Sequence, residues 1–102
     1  MVDKVFRRIE ALREWTLDLL KRLVQLPSVS AEGKAIKETA EFIEETLTEI
    51  GLTTKVFQTQ GNPIIFAEHK TDTNLPTLLI YNHYDVQPAD PLDATDVGTH
   101  KY

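Results

Sequence analysis

The sequence predicts an α/β fold in which two N-terminal helices pack on a small mixed sheet. Apolar residues recur at helical spacing in two stretches of the first half, and three short β-prone runs follow them. The last of these runs is almost continuously apolar, which is expected of a strand covered by helices on both faces. At 102 residues the chain forms at most one domain. We therefore expect this strand at the centre of the sheet, parallel to a neighbour.

The first predicted helix runs from Asp3 to about Leu26. Its apolar side chains recur mostly every three or four residues, which is typical of one face of an amphipathic helix. Pro27 ends it, because the residue before a proline is disfavoured in the α region. Phe6 and Trp15 lie on the apolar face, and we expect both of them in the core.

The second predicted helix spans about Gly33 to Ile50. Ser30 suits its N-cap and Gly51 suits its C-cap. Its glutamates lie on the outer face, which we interpret as solvated and not as a catalytic carboxylate pair. Its apolar positions follow a four-three-four-three repeat: Ile36, Ala40, Ile43, Leu47 and Ile50.

Three β-prone runs come next. Thr53 to Thr59 and Pro63 to Glu68 flank a turn at Gly61-Asn62, so we expect an antiparallel pair. Thr77 to Asn82 is the apolar run assigned to the centre of the sheet. Residues 90–102 are polar and aperiodic, and they form either a loop or a disordered tail.

Composition excludes several classes of function. The net charge is −5, from 16 acidic and 11 basic residues without a long block of either sign, so nucleic acid is not an expected partner. The absence of cysteine excludes disulfides, thiolate nucleophiles and cysteine-ligated zinc. No apolar run approaches 18 residues, and charged residues interrupt the N-terminal region. We therefore expect no membrane span, no signal peptide and a cytoplasmic location.

One histidine and one aspartate carry the chemistry that the sequence indicates. His83 directly follows the apolar strand, where open α/β sheets bind ligands, and neutral imidazole is a common ligand of zinc. Asp85 lies two residues further on, and a metal-bound histidine usually donates its other N–H to a carboxylate. Pro88 would rigidify the loop. A lone His-x-Asp is more often a surface pair, so the surrounding residues decide the interpretation.

Other polar residues have simpler interpretations. His69 follows the second strand and is interpreted as a surface residue. Ser28 and Ser30 have no adjacent base, and helix capping accounts for Ser30. A tail group could in principle gather around an ion, although a solvated acidic tail is the preferred interpretation. This group consists of Asp90, Asp93, Asp96 and His100.

The string HYDVQP at residues 83–88, preceded by LLIY, resembles the first metal-site motif of the co-catalytic zinc metallopeptidases. That family includes carnosinase-type dipeptidases, aminoacylases, acetylornithine deacetylase and succinyl-diaminopimelate desuccinylase. With DPL at residues 90–92, the string is most similar to the dipeptidase branch. Upstream, LPSVS at residues 26–30, followed by a helix ending in Gly51-Leu52, resembles the family's N-terminal helical region. The resemblance covers roughly residues 10 to 93.

The resemblance implies a fold, a site and a reaction. Residues 1–93 would be the N-terminal portion of a zinc-exopeptidase-like catalytic domain, and residues 94–102 a divergent tail. His83 would ligate one of two zinc ions, and Asp85 would be the catalytic-motif aspartate that orients it. The implied reaction is metal-assisted hydrolysis of a dipeptide or an N-acyl amino acid, with a glutamate as general base. No residue is assigned to an organic cofactor.

The chain departs from the family pattern after residue 93. It lacks the usual tryptophan and proline-rich continuation, the Gly-Arg-Gly…Asp segment, the Glu-Glu pair and the distal histidine. A catalytic zinc ion needs about three protein ligands, so we expect a fragment that is inactive alone. The alternative is a non-catalytic truncated module whose uncovered apolar surface favours self-association or a protein partner. A third interpretation is a frameshifted product without an independent role.

Overall fold

The computed structural model describes residues 1–29, 33 and 35–87. These residues form three helices and one two-stranded antiparallel sheet, which confirms a mixed α/β fold. The predicted N-cap Ser30, the turn-closing Pro88 and the divergent tail at 94–102 lie outside the described residues. The helices and strands are α1 (Val2–Ala11), α2 (Arg13–Val24), α3 (Ile36–Glu49), β1 (Thr53–Phe57) and β2 (Ile64–Glu68).

The prediction of a single first helix is wrong, because the helix is broken at Leu12. This residue has φ −93° and ψ 4°, and it separates α1 from α2. Its N–H is shared between the carbonyls of Arg8 and Ile9, at 3.0 and 3.2 Å, an arrangement common at helix ends. The apolar spacing continues across the break, and residues 9–15 contain neither glycine nor proline. Spacing alone therefore could not reveal it.

The expected core positions of Phe6 and Trp15 are also wrong. Phe6 is 60% exposed and Trp15 is 40% exposed, and every residue of α1 and α2 keeps at least partial exposure. The reason lies in how the helices pack. In the described part of the chain α1 packs on α2, whereas α3 is the helix that packs on both strands.

The second predicted helix is confirmed as α3, with a later start. It begins at Ile36, not Gly33, and its N-cap is Ala35, in the left-handed region with φ 52°. The prediction of Ser30 as the N-cap is therefore wrong. The C-cap prediction is confirmed, since Gly51 has φ 101°. Its N–H donates to the Thr48 carbonyl at 3.0 Å, and the next N–H, of Leu52, donates to the Leu47 carbonyl at 3.1 Å. These two bonds form a Schellman motif.

The predicted antiparallel pair is confirmed as β1 and β2, with Thr53 opposite Glu68 and Phe57 opposite Ile64. α3 packs on this hairpin. The buried residues lie in the N-terminal part of α3 and in the linker that precedes α3. Among the described residues, the buried side chains are Ser28, Val29, Ile36, Thr39 and Ala40.

The predicted central strand at Thr77–Asn82 is wrong. The segment is irregular, and its residues Leu78 to Tyr81 are between 74 and 86% exposed. A strand exists only through hydrogen bonds to a neighbour, and no ladder partner for this segment is present among residues 1–29, 33 and 35–87. The parallel pairing found in this region is an isolated bridge between Val29 and Val86. The expected helix-covered parallel centre is therefore not formed.

Candidate functional site

His83 and Asp85 lie side by side in the segment that follows the exposed apolar run. The Nδ1 atom of His83 is 3.1 Å from Oδ1 of Asp85 and 3.2 Å from the Asp85 backbone carbonyl oxygen. The imidazole is largely exposed, with 77% of its side chain accessible, whereas the Asp85 side chain is about half as accessible. The structure thus brings together the two residues that the sequence singled out.

The geometry assigns different tasks to the two imidazole nitrogens. A backbone carbonyl and an ionised carboxylate can only accept hydrogen bonds. Nδ1 of His83 is therefore the donor, and its N–H is shared between the backbone carbonyl oxygen and Oδ1 of Asp85. The lone pair of the neutral ring then resides on Nε2. A histidine held by a carboxylate through one nitrogen and presenting the other is the usual arrangement of a metal ligand. The pair therefore fits a metal such as zinc.

The backbone around Asp85 is held by residues far away in sequence. The Ser28 hydroxyl donates to the Tyr84 carbonyl at 2.7 Å, and the Val86 N–H donates to the Ser28 carbonyl at 2.8 Å. On the other side, the Tyr84 hydroxyl donates to the carbonyl of Pro63, just before β2, at 2.7 Å. The segment that carries His83 is thereby attached to both the linker before α3 and the hairpin.

Tyr84 stays protonated over a wide pH range. Partial burial raises its pKa above the ordinary value of 10.0, and the negative charge of neighbouring Asp85 raises it further. Because the neutral phenol keeps its proton, it remains the donor to the Pro63 carbonyl. This contact is therefore maintained throughout the physiological range.

Sequence reasoning missed the roles of Ser28 and Tyr84. Ser28 has no neighbouring base in the sequence, and Tyr84 is predicted only as part of the HYDVQP string. Their contacts join residues 56 and 21 positions apart. The sequence around Ser28 does not indicate its contact with Tyr84, because a hydrogen bond between residues far apart in the chain leaves no recognisable local sequence pattern.

Of the remaining candidate residues, His69 is the one that the structure describes. His69 is exposed beyond the end of β2, next to an ion pair in which Lys70 lies 3.8 Å from Glu68. The tail candidates Asp90, Asp93, Asp96 and His100 lie outside the described residues. Within the ranges that the structure describes, no group of three or more histidines and carboxylates could hold a metal ion. The described site is therefore one oriented histidine and its carboxylate.

Two cavities that α3 helps to line lie away from His83. One of about 90 Å³ is lined by apolar residues of α2 and α3, including Leu19 and Phe42. The other, of about 220 Å³, lies between α3 and the hairpin and is lined by Lys37, Glu41 and Pro63 among others. Neither is lined by His83. As for membranes, none of the helices in the described ranges has the length and apolar character needed to cross a bilayer.

Metal-ligating histidines usually donate their other ring N–H to a carboxylate, and the contact of His83 with Asp85 has this form. Sequence comparison independently indicates a class of metal-dependent enzymes. The chain is 32% identical over 101 residues to the Cys-Gly metallodipeptidase of Schizosaccharomyces pombe, a match that covers 86% of this chain and 21% of the relative. It is 28% identical over 116 residues to the Cys-Gly metallodipeptidase of Saccharomyces cerevisiae, covering 98% of this chain and 24% of the relative.

A third such enzyme, the Cys-Gly metallodipeptidase of Candida albicans, is 29% identical over 104 residues. This match covers 86% of this chain and 21% of the relative. The chain is thus a homologue of the metallodipeptidases, which confirms the resemblance seen in its motif. It spans about a fifth to a quarter of the length of these relatives. No family model matches the chain. No solved structure matches it either.

Proposed function

We propose that the chain is part of a metal-dependent, dipeptidase-like hydrolase, in which His83 is a metal ligand and Asp85 orients it. The observation that carries the proposal is the 3.1 Å contact between Nδ1 of His83 and Oδ1 of Asp85. The homology to metallodipeptidases supports the same reaction class. The domain division into residues 1–93 and 94–102 and the cytoplasmic location remain parts of this proposal.

In the proposed mechanism, the protein side supplies a fixed imidazole. His83 would hold a zinc ion through Nε2, while Asp85 keeps the proton on Nδ1 and increases the basicity of the ligating nitrogen. When bound, a pair of zinc ions would polarise the substrate carbonyl and would make a bound water acidic enough to be deprotonated near neutral pH. The substrate class would be a dipeptide or an N-acyl amino acid. A Cys-Gly dipeptide is the first choice, because the relatives are named for it.

We further propose that the isolated chain is inactive. A catalytic zinc ion needs about three protein ligands, and His83 is the one that the motif provides. One imidazole does not choose among zinc, manganese and cobalt, so the choice of zinc rests on the family resemblance.

Calorimetric titration of the purified chain with zinc tests the ligand assignment. We expect weak binding of at most one ion, and we expect His83→Gln to weaken it roughly tenfold or more. His69→Gln is the matched control, because it removes an exposed imidazole outside the site and should leave binding unchanged. Equal binding by the His83→Gln variant and the unaltered chain would contradict the assignment. Binding of two zinc ions together with cleavage of a Cys-Gly dipeptide would contradict the proposed inactivity.

A second candidate function, self-association, is favoured by one observation. Leu78, Leu79, Ile80 and Tyr81 form a consecutive apolar run that is 74–86% exposed. A run of this kind, which has no ladder partner among the residues that the structure describes, is a template for strand pairing with another chain. We propose that a second copy of this chain would be the occupant, pairing edge to edge along residues 78–81.

Light scattering coupled to size exclusion, over a range of concentrations, tests this second candidate. We expect the mass to rise with concentration for the unaltered chain and to fall back to one chain for Leu79→Lys. Leu75→Lys is the control, because Leu75 is exposed but lies outside the run. A single-chain mass at all concentrations would reject self-association.

A further inference from the structure

Ser28 contacts both peptide groups that flank Asp85. Its hydroxyl donates to the carbonyl of Tyr84, the residue before Asp85, at 2.7 Å. Its carbonyl accepts from the N–H of Val86, the residue after Asp85, at 2.8 Å. Ser28 itself is only 2% exposed. One buried residue therefore holds the backbone on either side of the carboxylate that orients His83.

The hydroxyl stands where a parallel sheet would place an amide. Val29 pairs with Val86 in a parallel bridge, and continuing that register would pair the N–H of Ser28 with the carbonyl of Tyr84. That N–H instead donates to the carbonyl of Leu26 at 2.8 Å, and the next N–H donates to the carbonyl of Pro27 at 2.8 Å. Two successive three-residue turns thus point the amide away. The side-chain hydroxyl provides the missing donor.

We propose that Ser28 is a positioning residue for the His83–Asp85 pair, a role that rests on the proposed function of His83 as a metal ligand. Fixing the carbonyl of Tyr84 and the N–H of Val86 fixes the orientation of the Asp85 backbone between them. The contact from Nδ1 to the carboxylate depends on that orientation, because hydrogen bonds weaken steeply when distance or angle departs from the optimum.

A second attachment limits how far this segment can move. The Tyr84 hydroxyl reaches the carbonyl of Pro63 at 2.7 Å, so the same residue is held at its side chain by the hairpin and at its backbone by Ser28. Loss of the serine hydroxyl would release the Tyr84 carbonyl, whereas the Ser28 carbonyl would still accept from the N–H of Val86. The segment would stay near the hairpin while the Asp85 carboxylate changes its direction relative to His83.

The tautomer of His83 in the metal-free chain tests the proposal. Long-range ¹H–¹⁵N NMR, at a pH about two units above the ordinary pKa of histidine, distinguishes Nδ1–H from Nε2–H. We expect the unaltered chain to show predominantly Nδ1–H, and we expect Ser28→Ala to shift the population by at least twofold toward Nε2–H. Ser28→Thr keeps the hydroxyl and should restore the original tautomer. His69→Gln and His100→Gln variants assign the signals.

Thr46→Val is the matched control, because it removes a similar hydroxyl-to-carbonyl bond, of 2.8 Å, within α3. It should leave the His83 tautomer unchanged even if it lowers stability. A folded Ser28→Ala variant with an unchanged tautomer would overturn the proposal. If Ser28→Ala does not fold, Ser28→Cys, a similarly sized but weak donor, replaces it, and the same two results support or overturn the role.

The test separates this proposal from the proposed function. It needs no metal, so the absence of zinc binding would reject the ligand assignment and leave the positioning role standing. An unchanged tautomer would reject the positioning role without bearing on zinc binding.

Discussion

Gly51 ends α3 in a conformation that favours glycine. Its φ of 101° lies in a region that residues with a Cβ atom rarely adopt, and its N–H completes the motif that satisfies the last carbonyls of the helix. The turn leads the chain into β1, which packs on α3.

We expect Gly51→Ala to lower the free energy of unfolding by about 1–2 kcal/mol, because the strain arises from the backbone and not from crowding. Urea denaturation followed by circular dichroism measures the change. Gly61→Ala is the control, since Gly61 has no positive φ and an added Cβ there meets Thr59 Oγ1 at an ordinary 3.7 Å. It should change stability by less than about 0.5 kcal/mol. Equal losses for the two variants would disprove the conformational explanation.

The sequence predicted the contact between His83 and Asp85, but it did not predict the residues that hold the backbone around them. Side chains two positions apart lie on the same side of an extended chain, so the contact between His83 and Asp85 follows from local spacing. The contact of Ser28 with Tyr84 does not, since it depends on where a linker 56 residues away is placed. The local pattern therefore predicted that the two side chains meet, and only the tertiary structure showed which residues hold the backbone around them.

At the scale of elements, the locally encoded parts were predicted and the non-local ones were not. The repeat of α3 and the glycine after it lie within one stretch, as do the two strands and turn of the hairpin. The apolar run at Thr77–Asn82 has the composition of a strand, but a strand also needs a neighbour. Composition cannot supply that neighbour. For the same reason, the apolar faces of α1 and α2 were correctly recognised and wrongly placed in a core.

Shortening a side chain to alanine should cost more stability at a buried position of α3 than on the exposed apolar face of α1. Ile36→Ala should cost about 2–4 kcal/mol, because Ile36 is only 6% exposed at the start of α3. Phe6→Ala should cost less than about 1 kcal/mol despite the larger side chain, because α1 leaves Phe6 mostly exposed. Thermal and urea unfolding of both variants provides the measurement. A larger loss for Phe6→Ala would show that α1 is covered in solution.

The described part of the molecule leaves much of its apolar surface uncovered. No residue of α1 or α2 is buried, and the run from Leu78 to Tyr81 is 74–86% exposed. A compact domain of this length would bury most of such side chains.

This openness predicts a shallow dependence of stability on denaturant. The slope of unfolding free energy against urea scales with the surface exposed on unfolding. Because the apolar faces of α1 and α2 and the run at residues 78–81 are already exposed, we expect a slope below that of a compact domain of equal length. Equilibrium urea unfolding at low protein concentration provides the value. A slope equal to that of a compact domain would mean that the chain closes its apolar surfaces in solution.

The hydrogen bond between the Ser28 hydroxyl and the Tyr84 carbonyl also has a kinetic consequence. It closes a loop 56 positions long, and long loops are closed late because their entropic cost precedes any reward from contacts. α3 and the hairpin lie inside that loop, and their formation brings its ends together. We therefore expect the contact between Ser28 and Tyr84 to form after α3 and the hairpin and to open early in partial unfolding. The backbone on either side of Asp85 would then reach its final orientation only after the rest of the chain has folded.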